Sequence, residues 1–576
     1  MQRFFPFLQW LPGYTKSWLA KDVMAGFTVG IILIPQGMAY AMIAGLPPVY
    51  GLYASLLPVL VYAFLGTSRQ LSVGPVALDS LLVAAGLGAL SITSVENYIA
   101  MAIFMAFLVG TIQLILGFFR MGFLVNFLSK PVISGFTSAA AFIIIFSQLK
   151  HLLGISVENG NYFHELIGDI LAKASETNTL DFAIGGLGIL IIVLLKKWNP
   201  KIPGILLVVL LGILAVFALQ LESYGVHIVG PIPKGLPSFQ IPRIQLEGIW
   251  NTWPIALTLA LVGYMEAISI GKSLEGKNGK ETLDANQELV ALGSSNIIAS
   301  FFQSYPIGAS FSRSAINQGS GAKTNLASVF SVILVVIALL FLTPIFYHLP
   351  NAILASIIMV SVFGLIDMEY PRRLLVYRKD EFAVLVVTFL ITLFVGIPQG
   401  ILIGVLFSLI LMVYKSSKPH FAVLGRIRES DYYRNIDRFG NEIELRDELL
   451  IVRFDAPLYF GNKDYFKKQL YKHIKAKGKE LQAVILNAEP MNYIDSTATQ
   501  MLVRIIEELH QKNIQFYIAR ATGPTRDIIF SSALIEVLGK ESLFARTKEA
   551  VDYFDHIKTP TELEERVAYQ NLTKRN

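Results

Sequence analysis

The chain has 576 residues, of which 54% are hydrophobic and 16% charged, and it contains no cysteine. The charged fraction lies well below the roughly 25% of soluble proteins and the mean hydropathy is +0.55, which excludes an ordinary soluble enzyme and indicates a membrane protein. Disulfides and thiol chemistry are excluded as well. The net charge of +6 requires no nucleic-acid partner, because lysine and arginine gather in short loops on one side of a membrane.

The first segment, residues 1–21, carries Trp10, Trp18 and Lys21 among other aromatic and basic residues. It lacks the apolar stretch and the small-residue cleavage site of a secretory signal peptide. We expect an N-terminal segment that lies at the cytoplasmic membrane interface.

Residues 22–415 are interpreted as the membrane domain. About 20 apolar residues cross a hydrocarbon core of about 30 Å, and segments of this kind recur here, although some are shorter or more broken. We predict about 14 transmembrane segments, near residues 22–43, 48–65, 74–90, 97–118, 123–147, 180–196, 203–220, 251–274, 287–302, 308–320, 324–343, 350–366, 380–397 and 399–415.

The loops between these segments differ in charge. Basic residues cluster in alternate loops: Arg120 and Lys130, then Lys196, Lys197 and Lys201, then Lys272, Lys277 and Lys280, then Arg372, Arg373, Arg378 and Lys379. The intervening short loops carry none. Basic loops stay in the cytoplasm, and an even number of spans returns the chain to its starting side. We therefore expect both termini in the cytoplasm, with the protein in the plasma or inner membrane of the cell.

After the last membrane segment the sequence changes to alternating charged and apolar residues. We interpret 416–440 as a linker, 441–560 as a separate domain and 561–576 as a tail. Within the domain, strand-like stretches such as ELLIVRFDAPLYF and LQAVILNAE alternate with helical ones. One of these helices is expected to be capped by Asp495 or Ser496. Strands that alternate with helices predict an α/β domain.

The two halves of the membrane domain resemble each other. GFTVGIILIPQGMAYA (26–41) is followed by LSVGPVALDS, and LTLALVGYMEAISIG (257–271) is followed by IGASFSRSA. In each half, a long span with a polar interruption precedes a short segment broken by glycine or proline. Paired broken segments at corresponding positions indicate a binding site at the bilayer midplane of an inverted-repeat transporter.

The short segments are suited to anion binding. A helix that begins in mid-membrane leaves its first N–H groups unpaired and carries about +0.5 charge there, and anions bind such ends. Pro75 fits the first helical position. An arginine inside an apolar region is costly unless it contributes its charge to the same site. The predicted anion site therefore consists of Val76, Ala77, Phe311, Ser312 and Arg313.

Other polar residues have two interpretations each. Glu266 is either a proton-coupling group or a paired structural carboxylate. Gln36 and Tyr40 lie four apart on one helix face and either line a cavity or satisfy backbone groups freed by the preceding proline. Arg313 itself could snorkel or form an ion pair. Asp79 is interpreted as complementing the positive start of its own helix.

Several motifs resemble a known family. Residues 46–82, LPPVYGLYASLLPVLVYAFLGTSRQLSVGPVALDSLL, strongly resemble the signature of the sulfate permease (SulP) anion transporters. PQGMAYA (35–41), SFSRSAINQGSGAKT (310–324) and NYIDSTAT (492–499) extend the match, the last of them to a cytoplasmic STAS domain. The resemblance implies an α-helical polytopic fold with 14 transmembrane segments in two inverted repeats of seven, divided into core and gate domains. It also implies a homodimer and an elevator-like motion.

The resemblance also implies roles for single residues. It places Gln36, Tyr40 and the backbone of Val76 and Ala77 in the anion site, together with Phe311, Ser312 and Arg313. Glu266 matches the acidic position associated with cation coupling. Sodium-coupled bicarbonate members resemble this chain but have aspartate there and threonine near Ser312, which favours protons here. Ser496 matches a serine that is phosphorylated in STAS-like proteins, and is a candidate regulatory residue.

A charge argument selects the substrate. Arg313 and two helix ends sum to roughly +2, which balances a dianion such as sulfate only when Glu266 is neutral. Protonation of Glu266 and sulfate binding therefore favour each other, and we predict proton-coupled sulfate uptake. The alternatives are sodium-coupled transport of bicarbonate or a dicarboxylate, and an anion-responsive sensor that acts through the STAS domain. The sequence contains no P-loop, nucleophile elbow or metal-ligand motif, so we expect neither an enzyme nor a cofactor.

Overall fold

The computed structural model describes residues 5–88, 90, 92, 94–123, 129–157, 163–199, 203–242, 246–275 and 283–557. The predicted tail at 561–576 and the predicted basic-loop residues Lys201, Lys277 and Lys280 lie outside these ranges. The chain divides into two compact units, Met1–Ser408 and Leu409–Asn576.

The first unit is almost entirely helical. It contains two short strands, β1 (Val73–Gly74) and β2 (Gly308–Ala309). Its helices are α1 (Phe7–Trp10), α2 (Lys16–Ile43), α3 (Val49–Tyr53), α4 (Leu57–Leu65), α5 (Ala77–Gly88), α6 (Val95–Phe118), α7 (Lys130–Leu153), α8 (Phe163–Ala172), α9 (Thr179–Trp198), α10 (Gly204–Leu219), α11 (Leu246–Glu275), α12 (Ala285–Ser300), α13 (Phe311–Gly319), α14 (Leu326–Ile337), α15 (Asn351–Phe363), α16 (Glu369–Tyr377), α17 (Lys379–Phe394) and α18 (Ile397–Ser417), whose final residues belong to the second unit.

Each of the 14 predicted segments coincides with a helix or with two consecutive helices of the described residues. Seven of these helices are long and apolar enough to cross a membrane, and four shorter apolar stretches accompany them. This result agrees with backbone chemistry, because in lipid every N–H and C=O group must be satisfied within the protein. Helices satisfy these groups locally.

Two boundaries differ from the prediction. The first span begins at Lys16 rather than at residue 22, because the side chain of Thr15 accepts a hydrogen bond from the backbone of Trp18 and caps the helix there. The expected interfacial segment 1–21 therefore ends inside α2. The predicted segment 48–65 is divided into α3 and α4.

Close approach between helices depends on small residues. Gly110 of α6 faces Gly293 of α12, and a Cβ at Gly110 would lie 2.7 Å from the Gly293 carbonyl oxygen. Such a contact is too short for any side chain. Glycines at facing positions let membrane helices approach closely, where dispersion forces hold them together.

Two buried carboxylates join the two halves of the first unit. Asp22 of α2 accepts hydrogen bonds from the backbone of Lys323 (2.6 Å) and Thr324 (3.1 Å) and from the hydroxyls of Thr324 (2.6 Å) and Tyr14 (3.0 Å). The side chain is fully buried. Asp22 therefore fixes the segment that precedes α14 against the first helix of the other half.

Glu288 of α12, in the second half of the bundle, likewise holds a loop of the first half. Its Oε1 accepts from the backbone of Thr67 (2.7 Å) and Ser68 (3.3 Å) and from the Thr67 hydroxyl, and its Oε2 accepts from the Tyr62 hydroxyl at 2.9 Å. Hydrogen bonds to charged acceptors are the strongest in proteins. Each half of the bundle thus carries a carboxylate that caps a loop of the other half.

The replacement Glu288→Gln tests this connection. An amide offers only one acceptor oxygen, so at least one buried donor loses its partner, at a cost on the order of 3 kcal/mol. We expect a clear drop in the thermal unfolding temperature of the full chain in detergent, measured by fluorescence-detected size-exclusion chromatography. The exposed Glu222→Gln serves as the matched control. Equal unfolding temperatures for the two variants would contradict the assignment.

The second unit is an α/β domain, as predicted. Its elements are β3 (Phe421–Ile427), β4 (Tyr433–Asn435), α19 (Ile436–Phe439), β5 (Ile443–Glu444), β6 (Leu449–Phe454), α20 (Lys463–Lys477), β7 (Ala483–Asn487), α21 (Ser496–His510), β8 (Gln515–Ala519), α22 (Gly523–Ser531), α23 (Leu534–Leu538), β9 (Leu543–Phe544) and α24 (Thr547–Ile557). The strand order is β4-β3-β6-β7-β8-β9, and β5 also pairs with β3.

The sheet is covered on both faces. Strands β6 to β9 run parallel, and β3 lies antiparallel to β6. All five residues of β7 are buried. Val484 and Leu486 join one apolar cluster, and Ala483 and Ile485 join the other, as the alternation of side chains along a strand requires.

The interpretation of residues 416–440 as a linker is wrong in its central part. Residues 421–427 form β3, and Leu424 pairs with Ile451 inside the sheet. The interior glycine of this strand, Gly425, weakened its sequence signal, yet here it leaves room for Ile443 of β5. The other proposed domain boundaries stay predictions.

Candidate functional site

The site is built around a two-stranded bridge inside the helical bundle. β1 and β2 pair antiparallel, with Val73 opposite Ala309 and Gly74 opposite Gly308. The pairing extends by one residue beyond the two strands, because the backbone N–H of Ser310 donates to the Ser72 carbonyl at 2.9 Å. This bridge joins segments from the two halves of the sequence.

Both predicted half-helices start at the bridge. The 12-residue α5 follows β1, and the 9-residue α13 follows β2. Because the strands are antiparallel, the chains leave the bridge in opposite directions, and both helix N-termini stay close to it. The hydroxyl of Ser310 caps α13 by accepting from the Arg313 N–H. The paired interrupted helices predicted from the sequence are confirmed.

The start of α5 differs in detail from the prediction. The helix begins at Ala77, and the Val76 carbonyl accepts the first intrahelical bond, from Ser80 at 3.0 Å. Pro75 therefore lies two residues before the first helical position. Its carbonyl oxygen instead accepts a hydrogen bond from the second half of the protein.

Arg313 is fully buried and links the two half-helices. Its Nη1 donates to the Pro75 carbonyl at 2.9 Å, and its Nε donates to the Ser72 hydroxyl at 3.4 Å. Its Nη2 has no hydrogen-bond partner among the described residues. A Cβ at Gly74 would lie 3.4 Å from this Nη2. Snorkelling is excluded by the burial, and no described carboxylate pairs with Arg313. The Nη2 edge of the guanidinium is therefore without a partner in the described part of the chain.

Gln36 and Tyr40 are buried in the C-terminal part of α2, 2% and 4% exposed. The Gln36 amide donates to the Ser361 hydroxyl of α15 at 3.4 Å, while its carbonyl oxygen is unpartnered among the described residues. Tyr40 lies within electrostatic range of Arg313. The Gln36 amide thus contacts a side chain of another helix rather than the backbone freed by Pro35, and Ser361 is a residue that the sequence pattern did not single out.

The remaining predicted site residues fall into two groups. Val76 and Ala77 are buried at the start of α5. Phe311 and Ser312 are exposed at the start of α13, and the Ser312 hydroxyl lies 3.4 Å from that of Ser310. The start of α13 is therefore open to the surroundings on the side opposite Arg313.

Glu266 lies on α11, next to the bridge. Its Oε2 is buried and has no hydrogen-bond partner among the residues that the structure describes, and Glu266 lies within electrostatic range of Asp79. Asp79 is 1% exposed, and neither of its oxygens has a partner in the described part of the chain. The sequence pattern gave Asp79 a role at its own helix start, but its carboxylate lies against Gly263 and Gly308. No signal in the sequence alone brings these distant positions together.

This arrangement has two chemical capacities. A guanidinium edge beside two helix N-termini is chemically suited to bind an anion. The neighbouring carboxylates supply a place for a proton or a monovalent cation. Among the described residues, no group of three or more potential metal ligands is present.

Ser496 of the α/β unit is the first residue of α21 and is exposed. The helix cap is Asp495, which accepts from the N–H groups of Ala498 (2.7 Å) and Phe460 (2.8 Å). Although partial burial opposes it, these donors hold the pKa of Asp495 below its usual range. Of the two residues predicted as the cap, Asp495 is confirmed, and the Ser496 hydroxyl is left accessible.

Two interrupted helices that meet inside a bundle of apolar helices are typical of multi-pass secondary transporters. The comparison with known families agrees: residues 19–388 match the sulfate permease family, and residues 441–550 match the STAS domain. The chain belongs to the sulfate permease family.

Similar proteins cover nearly the whole chain. The chain is 39% identical to "Sulfate transporter 4.1, chloroplastic" of Arabidopsis thaliana, over 95% of this chain and 82% of that protein. It is 32% identical to "High affinity sulfate transporter 1" of Stylosanthes hamata, over 96% and 86%. The structure of the murine solute carrier 26 family member A9 anion transporter in the inward-facing state is similar with a TM-score of 0.88 at 27% identity, over 96% of this chain and 94% of that chain.

The replacement Gly74→Ala tests the geometry of the bridge. Gly74 has φ 143°, so any side chain is strained there by about 1–3 kcal/mol, and the methyl group would occupy the space beside the free Nη2 of Arg313. We expect sulfate affinity of the purified protein, measured by isothermal titration calorimetry, to fall about tenfold or more. Gly230→Ala carries a similar strain at φ 76° with no atom within 4 Å, and should keep its affinity. Equal affinities for both variants would remove Nη2 from the anion site.

The replacement Asp495→Ala tests the cap of α21. Loss of the acceptor should destabilise the helix start by about 1–2 kcal/mol, and hydrogen–deuterium exchange of the full chain should accelerate at the amide of Ala498. Ser496→Ala should leave this exchange rate unchanged. Since the pKa of Asp495 is lowered in the fold, the cap persists above about pH 4 and weakens as the pH falls further. Faster exchange in both variants would show that Ser496 shares the capping role.

Proposed function

We propose that this protein takes up sulfate together with protons, by an elevator-type movement of the elements that hold the anion site. The observation that carries the proposal is the free Nη2 of Arg313, a permanent buried charge beside two helix N-termini. A buried cation without a counter-charge costs several kcal/mol. A bound anion supplies that charge.

The relatives support sulfate as the anion. Both plant proteins compared above are named as sulfate transporters. The similar murine structure is that of an anion transporter. The charge of the site fits as well, since Arg313 and two helix ends sum to roughly +2, which matches a dianion.

The proposed roles follow the geometry. Arg313 and the backbone of Val76 and Ala77 provide the positive charge, and Ser312 adds a hydroxyl at the open end of α13. Gln36 and Tyr40 line the buried side. The proposed sulfate-binding residues are Gln36, Tyr40, Val76, Ala77, Phe311, Ser312 and Arg313. Glu266 carries the coupling proton, because a neutral Glu266 leaves the full positive charge of the site to sulfate.

The proposal extends to the whole protein. It includes a homodimer, a location in the plasma or inner membrane and both termini in the cytoplasm. The name of one relative places that protein in the chloroplast, so the type of membrane is part of what has to be measured. In the STAS domain, the exposed hydroxyl of Ser496 is the proposed regulatory position.

The replacement Glu266→Gln tests the coupling. We expect the wild-type protein in liposomes to accumulate labelled sulfate when an inward proton gradient is imposed. Glu266→Gln keeps the size of the side chain but carries no transportable proton, so the stimulation by the gradient should disappear. The measurement is the ratio of initial uptake rates with and without the gradient.

A sodium gradient and labelled bicarbonate provide the controls. Sulfate uptake that follows sodium instead of protons would contradict the proposed coupling, and uptake of bicarbonate in place of sulfate would contradict the substrate. Anion binding to the wild-type protein without any flux would support a sensor that acts through the STAS domain. Gradient-driven uptake that is unchanged in Glu266→Gln would remove Glu266 from its role.

A further inference from the structure

Asp79 is a buried carboxylate that the proposed mechanism does not use. It is 1% exposed, and neither oxygen accepts a hydrogen bond from the described residues. An ionised carboxylate that is buried without donors is strongly disfavoured. A bound proton neutralises the carboxylate and so removes the cost of burying its charge.

The surroundings of Asp79 are shaped to hold its carboxylate. A Cβ at Gly308 of β2 would overlap its Oδ2, and a Cβ at Gly263 of α11 would lie 3.7 Å from the same oxygen. Glu266 follows Gly263 by about one helical turn, so both positions lie on the same side of α11. The unpartnered Oε2 of Glu266 is buried there, within electrostatic range of Asp79.

We propose that Asp79 and Glu266 form a carboxylate pair that shares the coupling proton, an inference that rests on the proposed proton-coupled function. Two neighbouring carboxylates that are buried together repel each other, which disfavours the state in which both are ionised. The proton enters from water on one side of the membrane, forms an O–H bond within the pair and leaves on the other side. Asp79 does not touch the anion; it is a positioning residue that acts through Glu266.

Other titratable groups lie on the elements packed against the pair. Tyr305, whose hydroxyl lies 3.2 Å from that of Ser80, faces Asp79 from the segment that leads into β2, and it also lies within electrostatic range of Arg313 and Tyr40. On the described helices packed against α5 and α11, the further ionisable groups are Lys16, Lys21 and Asp22 on α2, Glu96 and Tyr98 on α6, Lys130, Lys150 and His151 on α7, Tyr264 and Lys272 on α11, and Glu288 on α12.

The pair makes anion binding depend strongly on the proton. Arg313 and the helix ends alone supply roughly +2, and the charge of Asp79 reduces this sum. With one shared proton the pair carries −1 and roughly +1 is left to attract the anion, whereas a pair without a proton would cancel the positive charge. Removal of the Asp79 charge also removes the repulsion that helps Glu266 to hold the proton, so Glu266 alone requires a more acidic solution to load.

The test is the pH profile of sulfate uptake into proteoliposomes. In Asp79→Asn we expect the pH of half-maximal uptake to move by about one unit towards acid, while stimulation by the proton gradient persists. Glu96→Gln, which removes an exposed carboxylate from a neighbouring helix, should leave the profile unchanged. Gly308→Ala displaces the Asp79 carboxylate without removing it and should shift the profile in the same direction, which provides a second test if Asp79→Asn does not fold.

The outcomes separate this inference from the function on which it rests. A wild-type protein without any response to the proton gradient would overturn the proposed function. A wild-type response together with unchanged profiles in folded Asp79→Asn and Gly308→Ala would overturn the shared proton alone. A profile that shifts in both variants, with gradient stimulation lost only in Glu266→Gln, establishes the pair.

Discussion

The structure depends on the pairing of β1 with β2. Backbone groups that leave a helix inside a bilayer must find partners within the protein, and this bridge provides them where both broken segments cross. The Ser310 N–H on the Ser72 carbonyl and the guanidinium of Arg313 on the Pro75 carbonyl extend the pairing. The bridge thereby fixes the two helix N-termini, orients the arginine and brings Gly308 against Asp79.

Arg313 has two functions that its geometry separates. Nε and Nη1 bind the first half of the protein, and Nη2 is left without a partner in the described residues. A lysine could not divide its donors in this way, because its ammonium group is a single point charge. The planar guanidinium of arginine presents its donors in fixed directions. The side chain is held by two contacts before any anion arrives, so the third donor is already oriented. Such preorganisation lowers the entropy lost on binding.

The sequence was sufficient for features that lie within one segment. Apolar runs and interrupted helices identified the membrane bundle and the half-helices, and strand and helix patterns identified the α/β domain. The anion site around Arg313 stays a prediction. Features that depend on contacts between distant segments were not predictable. The proximity of Asp79 to Glu266, the loop-capping role of Glu288 and the partnership of Gln36 with Ser361 arise from tertiary packing. β3 was missed because Gly425 interrupts its pattern.

In the proposed mechanism, the proton and the anion are held by the same two elements. Asp79 lies in the first turn of α5, which begins at Ala77, and Gly308, against which the Asp79 carboxylate lies, precedes Arg313 by five residues. A charge that changes on the pair therefore acts on the anion directly, at short range and in a medium of low dielectric. Linkage requires the reverse effect to be equally large. In this mechanism, any movement that carries the bridge across the membrane transports both ligands together, and no separate relay is needed.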